Sequence, residues 1–369
     1  MKLQTSSADL LAQVGAAARV ASTRSAVQAL SGVQVVTADG RAELRATDME
    51  VGLRVPLPAT VERDGSVVLP ARLLLDVARV LPAKDVSLEL RPSEGDVEIV
   101  SGSARYHVRT LRGEDFPPFP DASDGTIVRV PANAFVATVR KVERSASKDE
   151  TRPILTGILV SASGTDLKMV ATDSYRLSVK ETKLEAPLDG EFEANVPARA
   201  LGELARLAEG ADDAELTVAR QENQVVFSVG GAVLASRLID GQFPNYRQLL
   251  PDSYEHDLIV DSEEVRAVVR RMSLMAQKNA PLRLRFSEGE LTVSAQTPDV
   301  GEASESLPVP FAGEPFEIGF NPEFLRDGLE SVDSEQAKLR LISPLRPGLI
   351  ESADESGFLY LIMPIRLNV

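Results

Sequence analysis

The chain contains no cysteine, which excludes disulfides, iron–sulfur clusters and thiolate zinc sites. Its two histidines, His107 and His256, stand in no metal-ligand or triad pattern. No run of about 18 apolar residues occurs, so no helical membrane span is expected. The first residues lack the basic-then-apolar layout of a signal peptide, and Met1-Lys2-Leu3 is expected to enter the fold directly. There is no Gly-x-x-x-x-Gly-Lys phosphate loop and no Gly-x-Gly-x-x-Gly opening a helix. Together these absences point to a cytoplasmic protein without a nucleotide, metal or redox cofactor.

What is present is ordinary for a globular chain, with 43% hydrophobic and 26% charged residues. The net charge of −15 is unfavourable for nucleic acid as a whole-surface sum. A ligand feels the face it approaches, however, so the placement of the 40 basic residues matters more than their total.

The chain repeats itself. Ala46-Thr47-Asp48 returns as Ala171-Thr172-Asp173, and Pro70-Ala71-Arg72 returns as Pro197-Ala198-Arg199. Asp115-Phe116-Pro117 returns as Gln242-Phe243-Pro244, while Asn321-Pro322-Glu323-Phe324-Leu325 takes the Pro-Ala-Arg place a third time. The common offset of about 125 residues is far longer than a solenoid repeat and describes whole domains. Three similar domains are expected, at residues 1–120, 127–251 and 256–369, divided near Phe116–Pro120 and Leu250–Ser253.

Each repeat alternates at period two in most segments and carries two helical patterns, an α+β class with two helices packed on antiparallel sheets. In the first repeat the helices are marked by Leu10, Leu11, Val14 and Ala18, then by Leu74, Val77, Ala78 and Leu81. In the second, Pro131 suits a first turn, and Phe135, Val139, Val142 and Ala146 form an apolar stripe. Leu201, Leu204 and Leu207 mark its second helix. In the third, Asp261 and Glu264 resemble a capping box before Val265, Val268, Val269 and Met272, and Leu325, Leu329 and Val332 follow. Basic residues gather on equivalent helices: Arg140, Lys141, Arg144 and Lys148 in the second repeat, Arg266, Arg270, Arg271 and Lys278 in the third. Of these, Arg140, Arg144, Arg270 and Lys278 are expected to converge on one surface. One such helix face is ordinarily just solvated; the same bias on two equivalent helices of an acidic chain favours an anion-binding face.

In this arrangement the chain resembles the bacterial DNA polymerase sliding clamps, the beta subunits of DNA polymerase III. The carrying segments are Val170–Leu177, Asp240–Tyr246 and the ending Tyr360–Leu367, and the likeness covers the whole length. It implies the DNA clamp fold, with two copies joined head to tail into a ring whose helices line the hole. Twelve helices at ~10 Å spacing give a circle of axes ~38 Å across, and a hole of roughly 28 Å once a helix width is removed. A duplex held there through phosphates alone could slide. The resemblance makes Arg24, Arg72, Lys148, Arg152 and Arg199 DNA-facing residues; Pro153-Ile154 stand where aromatics are frequent.

The resemblance also implies a groove that receives peptides of the replicative polymerase, the clamp loader, and repair and mismatch proteins. Its residues here are Leu155, Thr172, Ser174, Tyr175, Arg176, Leu177, Pro244, Leu249, Ile362, Met363, Pro364, Ile365 and Arg366. Leucines, an adaptable Met and a Pro wall suit an extended peptide with large apolar side chains, and Arg176 and Arg366 would anchor its polar atoms. An apolar Ile-Met-Pro-Ile tail would otherwise fray. Ser174-Tyr175 replaces a frequent Gly-His, Gln248 replaces a frequent Arg, and Asn368-Val369 extend beyond the usual end. The homodimer seam is expected to pair sheet edges through Tyr106 and Val108 of one copy and Leu274 and Met275 of the other.

Two alternatives were weighed. Asp48 and Asp173 suggest paired catalytic carboxylates, but Thr297-Pro298-Asp299 in the third repeat makes turn formation the better reading. Asp212-Asp213-Ala214-Glu215 lacks the ligand spacing of a calcium loop. No enzyme is expected. The other alternative is a three-domain protein-binding scaffold that does not encircle DNA.

Overall fold

The computed structural model describes residues 1–22, 25–119, 126–209, 214–276, 280–354 and 356–367. Among them lie six α-helices, two per repeat: α1 (Ser7–Val20), α2 (Ala71–Arg79), α3 (Ala132–Val142), α4 (Ala198–Leu207), α5 (Ser262–Ser273) and α6 (Pro322–Glu330). Local chemistry places their starts. Asp261 caps α5, its carboxylate accepting the Glu264 amide at 2.8 Å. Asn321 caps α6 through the amides of Glu323 and Phe324. Pro131 ends a strand one residue before α3 instead of opening the helix.

The apolar stripes are largely as read. Val265, Val268, Val269 and Met272 of α5 are buried against Leu325 and Leu329 of α6, each full burial being worth ~1.5–3 kcal/mol. Leu11 is exposed and Ala17 takes its place inside α1, because the buried arc runs Leu10, Val14, Ala17. The stripe through Ala146 overextends α3, which stops at Val142 and tightens into a 3-10 turn over Glu143–Ser145. There the Ser145 hydroxyl meets that of Ser178 at 2.6 Å, and the Ser147 amide donates to the Leu155 carbonyl at 2.8 Å. Arg144 and Lys148 therefore leave the helix face expected for them.

By packing, the chain divides into two units: residues 1–133 with 203–238, and residues 134–202 with 239–369. The first unit holds an eight-stranded sheet to which two repeats contribute equally. The first repeat supplies Gly32–Ala38, Arg41–Thr47, Val51–Leu57 and Gly65–Pro70; the second supplies Thr126–Pro131, Glu215–Arg220, Gln224–Val229 and Ala232–Arg237. The halves meet where Ala232–Arg237 pairs antiparallel with Val51–Leu57, Leu234 opposite Leu53. A five-stranded sheet of the same unit ends on Ala104–Arg109 as an open edge. The hairpin between Gly32–Ala38 and Arg41–Thr47 turns on Asp39 and Gly40, both at positive φ, the combination a two-residue turn requires.

The second unit repeats the plan. Its eight-stranded sheet joins four strands of the second repeat to four of the third, through antiparallel pairing of Arg176–Lys183 with Phe358–Ile362. A four-stranded sheet ends on Gly301–Pro308 as its open edge.

Candidate functional site

The Thr-Asp element that marks the repeats is a turn, not a catalytic pair. Asp173 accepts the amides of Tyr175 and Arg176 at 2.9 and 3.0 Å, and Asp48 accepts those of Glu50 and Val51 at 3.0 and 2.9 Å. The threonine hydroxyls of Thr172 and Thr47 donate to the carbonyls of Arg176 and Val51. Each turn feeds the strand at which two repeats join. In the second unit it also forms one wall of a groove of about 520 Å³.

Six of the residues expected in the groove line it: Thr172, Ser174, Arg176, Leu177, Leu249 and Met363. Gln248 joins them, with Leu250, Pro251, Asp252 and Ser253 continuing the same segment. The far rim is Ile342, Arg346 and Pro347, over a base that includes Leu361. That rim carries no repeat motif, so nothing local in the sequence announces it. Leu249 and Met363 are exposed apolar side chains, the type that gives an extended peptide a non-directional grip.

The other seven expected groove residues are not part of that lining. Leu155 and Ile362 are core, Ile362 within the third repeat's cluster. Tyr175 and Pro244 are exposed but outside the cavity lining. Pro364, Ile365 and Arg366 follow Met363, and the Ile365 amide donates to the Gly319 carbonyl at 2.7 Å. The tail thus keeps its place through backbone bonding, and a Cβ on Gly319 would fall 2.6 Å from Leu367. Asn368 and Val369 lie outside the described residues.

Arg176 lines the groove but is not the open anchor expected of it. Only 6% exposed, it donates to Asp173 at 3.1 Å and to Asp327 of α6 at 2.6 Å, with its guanidinium 4.2 Å from the Phe324 ring centre. Burial alone would lower its pKa; Tyr360, Asp327 and Asp173 outweigh that and the net shift is upward. Burial raises the pKa of Tyr360, whose hydroxyl donates to the Phe324 carbonyl at 2.8 Å.

The basic residues are also more engaged than their spacing implies. Arg140 pairs with Glu143 at 2.9 Å, and Arg144 reaches across to Glu330 at 2.5 Å and Asp327 at 3.3 Å of α6. Asp327 and Glu330 lie far along the chain, so a local count of charge around α3 overstates its open basicity. Arg152 donates to Asp149 at 2.9 Å and to the Ser174 hydroxyl at 3.0 Å. Hydrogen bonds from the Thr151 hydroxyl and amide, then from Arg152, hold the Asp149 carboxyl below the usual range. Arg72, Lys148, Arg199 and Arg270 are exposed, on α2, after the 3-10 turn, on α4 and on α5 respectively. Arg24 and Lys278 lie outside the described residues, as do Asp212 and Asp213.

Of the seam residues, Tyr106 and Val108 sit on the open edge strand Ala104–Arg109. Val108 is only 3% exposed, packed inward by the two-residue alternation of its strand. Met275 likewise packs on the third repeat's core. Leu274 is 81% exposed, the most exposed large apolar side chain among the described residues.

His107 lies beside Arg91 and Asp96, and His256 stacks on Phe316 at 5.1 Å. Among the described residues no group of His, Asp and Glu is placed to hold a metal, and no helix is long and apolar enough to cross a membrane.

Comparison with known proteins gives one family. Family models of the DNA polymerase III beta subunit match in series: the N-terminal domain at residues 1–120, the central domain at 129–245 and the C-terminal domain at 247–366. The beta sliding clamp of Streptomyces coelicolor is 32% identical over 372 residues, covering 98% of each chain. That of Bacillus subtilis is 27% identical, covering 94% of this chain and 95% of its own. The crystal structure of the Bacillus subtilis sliding clamp superposes with a TM-score of 0.90 at 26% identity, and covers 100% of both chains. The griselimycin-bound DnaN sliding clamp of Pseudomonas aeruginosa gives 0.87 at 27%, again over 100% of both.

Proposed function

The chain belongs to the DNA polymerase III beta subunit family, and from that membership we propose that two copies close head to tail into a ring around duplex DNA. Its role is that of a DNA sliding clamp in replication, which is not catalytic. The ring holds DNA without reading sequence and tethers the replicative polymerase, the clamp loader and repair and mismatch proteins through the groove. The work is done in the cytoplasm.

One observation supports the ring above others. Twice within the chain, the last strand of a repeat pairs antiparallel with a strand of the repeat before it, Ala232–Arg237 with Val51–Leu57 and Phe358–Ile362 with Arg176–Lys183. The counterparts of these partners are Ala104–Arg109 and Gly301–Pro308, each the terminal strand of its sheet with one edge unpaired. A second copy makes the same joint a third time and hides both edges.

The test is topological. Loaded by a clamp loader onto nicked circular plasmid, the protein is expected to stay on circles at moderate salt and to run off once the plasmid is linearised. Equal loss from both forms, with a loader proven on another clamp, favours the non-encircling scaffold. The groove has its own check. Leu249→Asp places a charge among apolar lining residues and is expected to weaken an extended leucine-bearing peptide by at least ~10-fold, measured by calorimetry, with the dimer intact.

A further inference from the structure

Ser174 lines the groove with φ at +80°, a conformation that penalises any side chain and suits glycine. The equivalent turn of the first repeat has Met49 at φ +80°, without a hydroxyl. What the serine adds is an acceptor: its hydroxyl takes a hydrogen bond from Arg152 at 3.0 Å. Arg152 is half-exposed, and its other partner, Asp149, is a surface carboxylate at 2.9 Å. The Ser174 amide meets the Thr172 hydroxyl at 3.3 Å, and the next two amides close on Asp173. Ser174 is thus held on one side by its own turn and on the other by a cation of the expected DNA face.

We propose that the Arg152–Ser174 hydrogen bond links groove and DNA, so that phosphate contact at Arg152 weakens peptide binding. The inference rests on the sliding-clamp reading above. A phosphate offers a guanidinium two charged acceptors in place of one neutral hydroxyl. When it takes Arg152, the Ser174 hydroxyl loses its cationic partner, and the wall formed by Ser174 and Arg176 is left tied by its own turn. Linkage makes the effect reciprocal: a peptide that needs the ordered wall holds Arg152 away from phosphate. Ser174 is therefore a positioning residue that sets how strongly DNA and partner compete.

The experiment uses the full-length protein and a duplex of about 20 base pairs at low salt, with binding followed by salt-dependent anisotropy. Amide exchange of the 173–177 segment is measured with and without duplex, in the wild type, Ser174→Gly and Ser174→Asn. Glycine relieves the positive φ and removes the acceptor; asparagine tolerates the conformation and restores one. Duplex is expected to speed exchange of this segment about five-fold in the wild type and Ser174→Asn, and not in Ser174→Gly. A labelled extended peptide with two leucines should weaken by a similar factor with duplex in the same two proteins. Duplex binding without any change in wild-type exchange overturns the link alone, as does an equal change in Ser174→Gly. Failure to bind duplex at all counts first against the phosphate contacts of the clamp and removes the link with them.

Discussion

Leu274→Glu is expected to leave a folded protein that sediments as a single chain, where the wild type sediments as a dimer. Leu274 follows α5 with 81% of its surface open, a state that gains ~1.5–3 kcal/mol when such a side chain is buried by a partner. A carboxylate in its place forfeits that gain and adds the cost of desolvating a charge in the seam. The dimer dissociation constant should rise by at least ~100-fold, since every 1.4 kcal/mol is tenfold. Leu345→Glu, on another exposed leucine, is the control and should keep the dimer. A dimer that survives nanomolar dilution in the Leu274 variant would falsify this seam.

Arg176→Ala should lower stability more than any other single change at the groove. The arginine is the shared counterion of Asp173 and Asp327, whose side chains are both largely buried. Removing it takes the closest counterion from both carboxylates, leaving Asp327 with Arg144 and Asp173 with its two turn amides, and breaking a buried pair costs about 3–5 kcal/mol. The same change removes the packing of the guanidinium on Phe324. Chemical denaturation should show the loss in the transition of the unit that contains the groove. Arg176→Ala combined with Asp327→Asn should recover part of it, because one buried charge is then gone while the lost packing is the same. Equal loss in the single and double variants would mean that packing rather than charge dominates. Peptide binding cannot be read in Arg176→Ala without this control, since the wall itself depends on the ion pair.

The elements easiest to read in the residues were those governed by local chemistry. The Asp261 cap, the buried arc of α5 and the Asp173 turn each depend on side chains within a few positions of one another, and helical and strand periods follow from backbone geometry alone. The repeat itself was legible for the same reason, because each copy must solve the same local problem. Errors began at element ends. The stripe through Ala146 continued past Val142, where the Ser145–Ser178 contact bends the chain out of the helix.

The residues by themselves determined the three-fold plan, the α+β class, the likeness to sliding clamps and half of the groove wall. Tertiary structure decided which charges are open and which apolar residues are free to bind. Arg144 gains Asp327 and Glu330 only because α6 packs beside it, and the inward burial of Val108 is set by the strands around it. The far rim at Arg346 and Pro347 was likewise invisible. The physical reason is the range of the interactions. Periodicity and capping act between neighbours in sequence, whereas ion pairing and burial act between neighbours in space, and only the fold makes Arg176 and Asp327 neighbours.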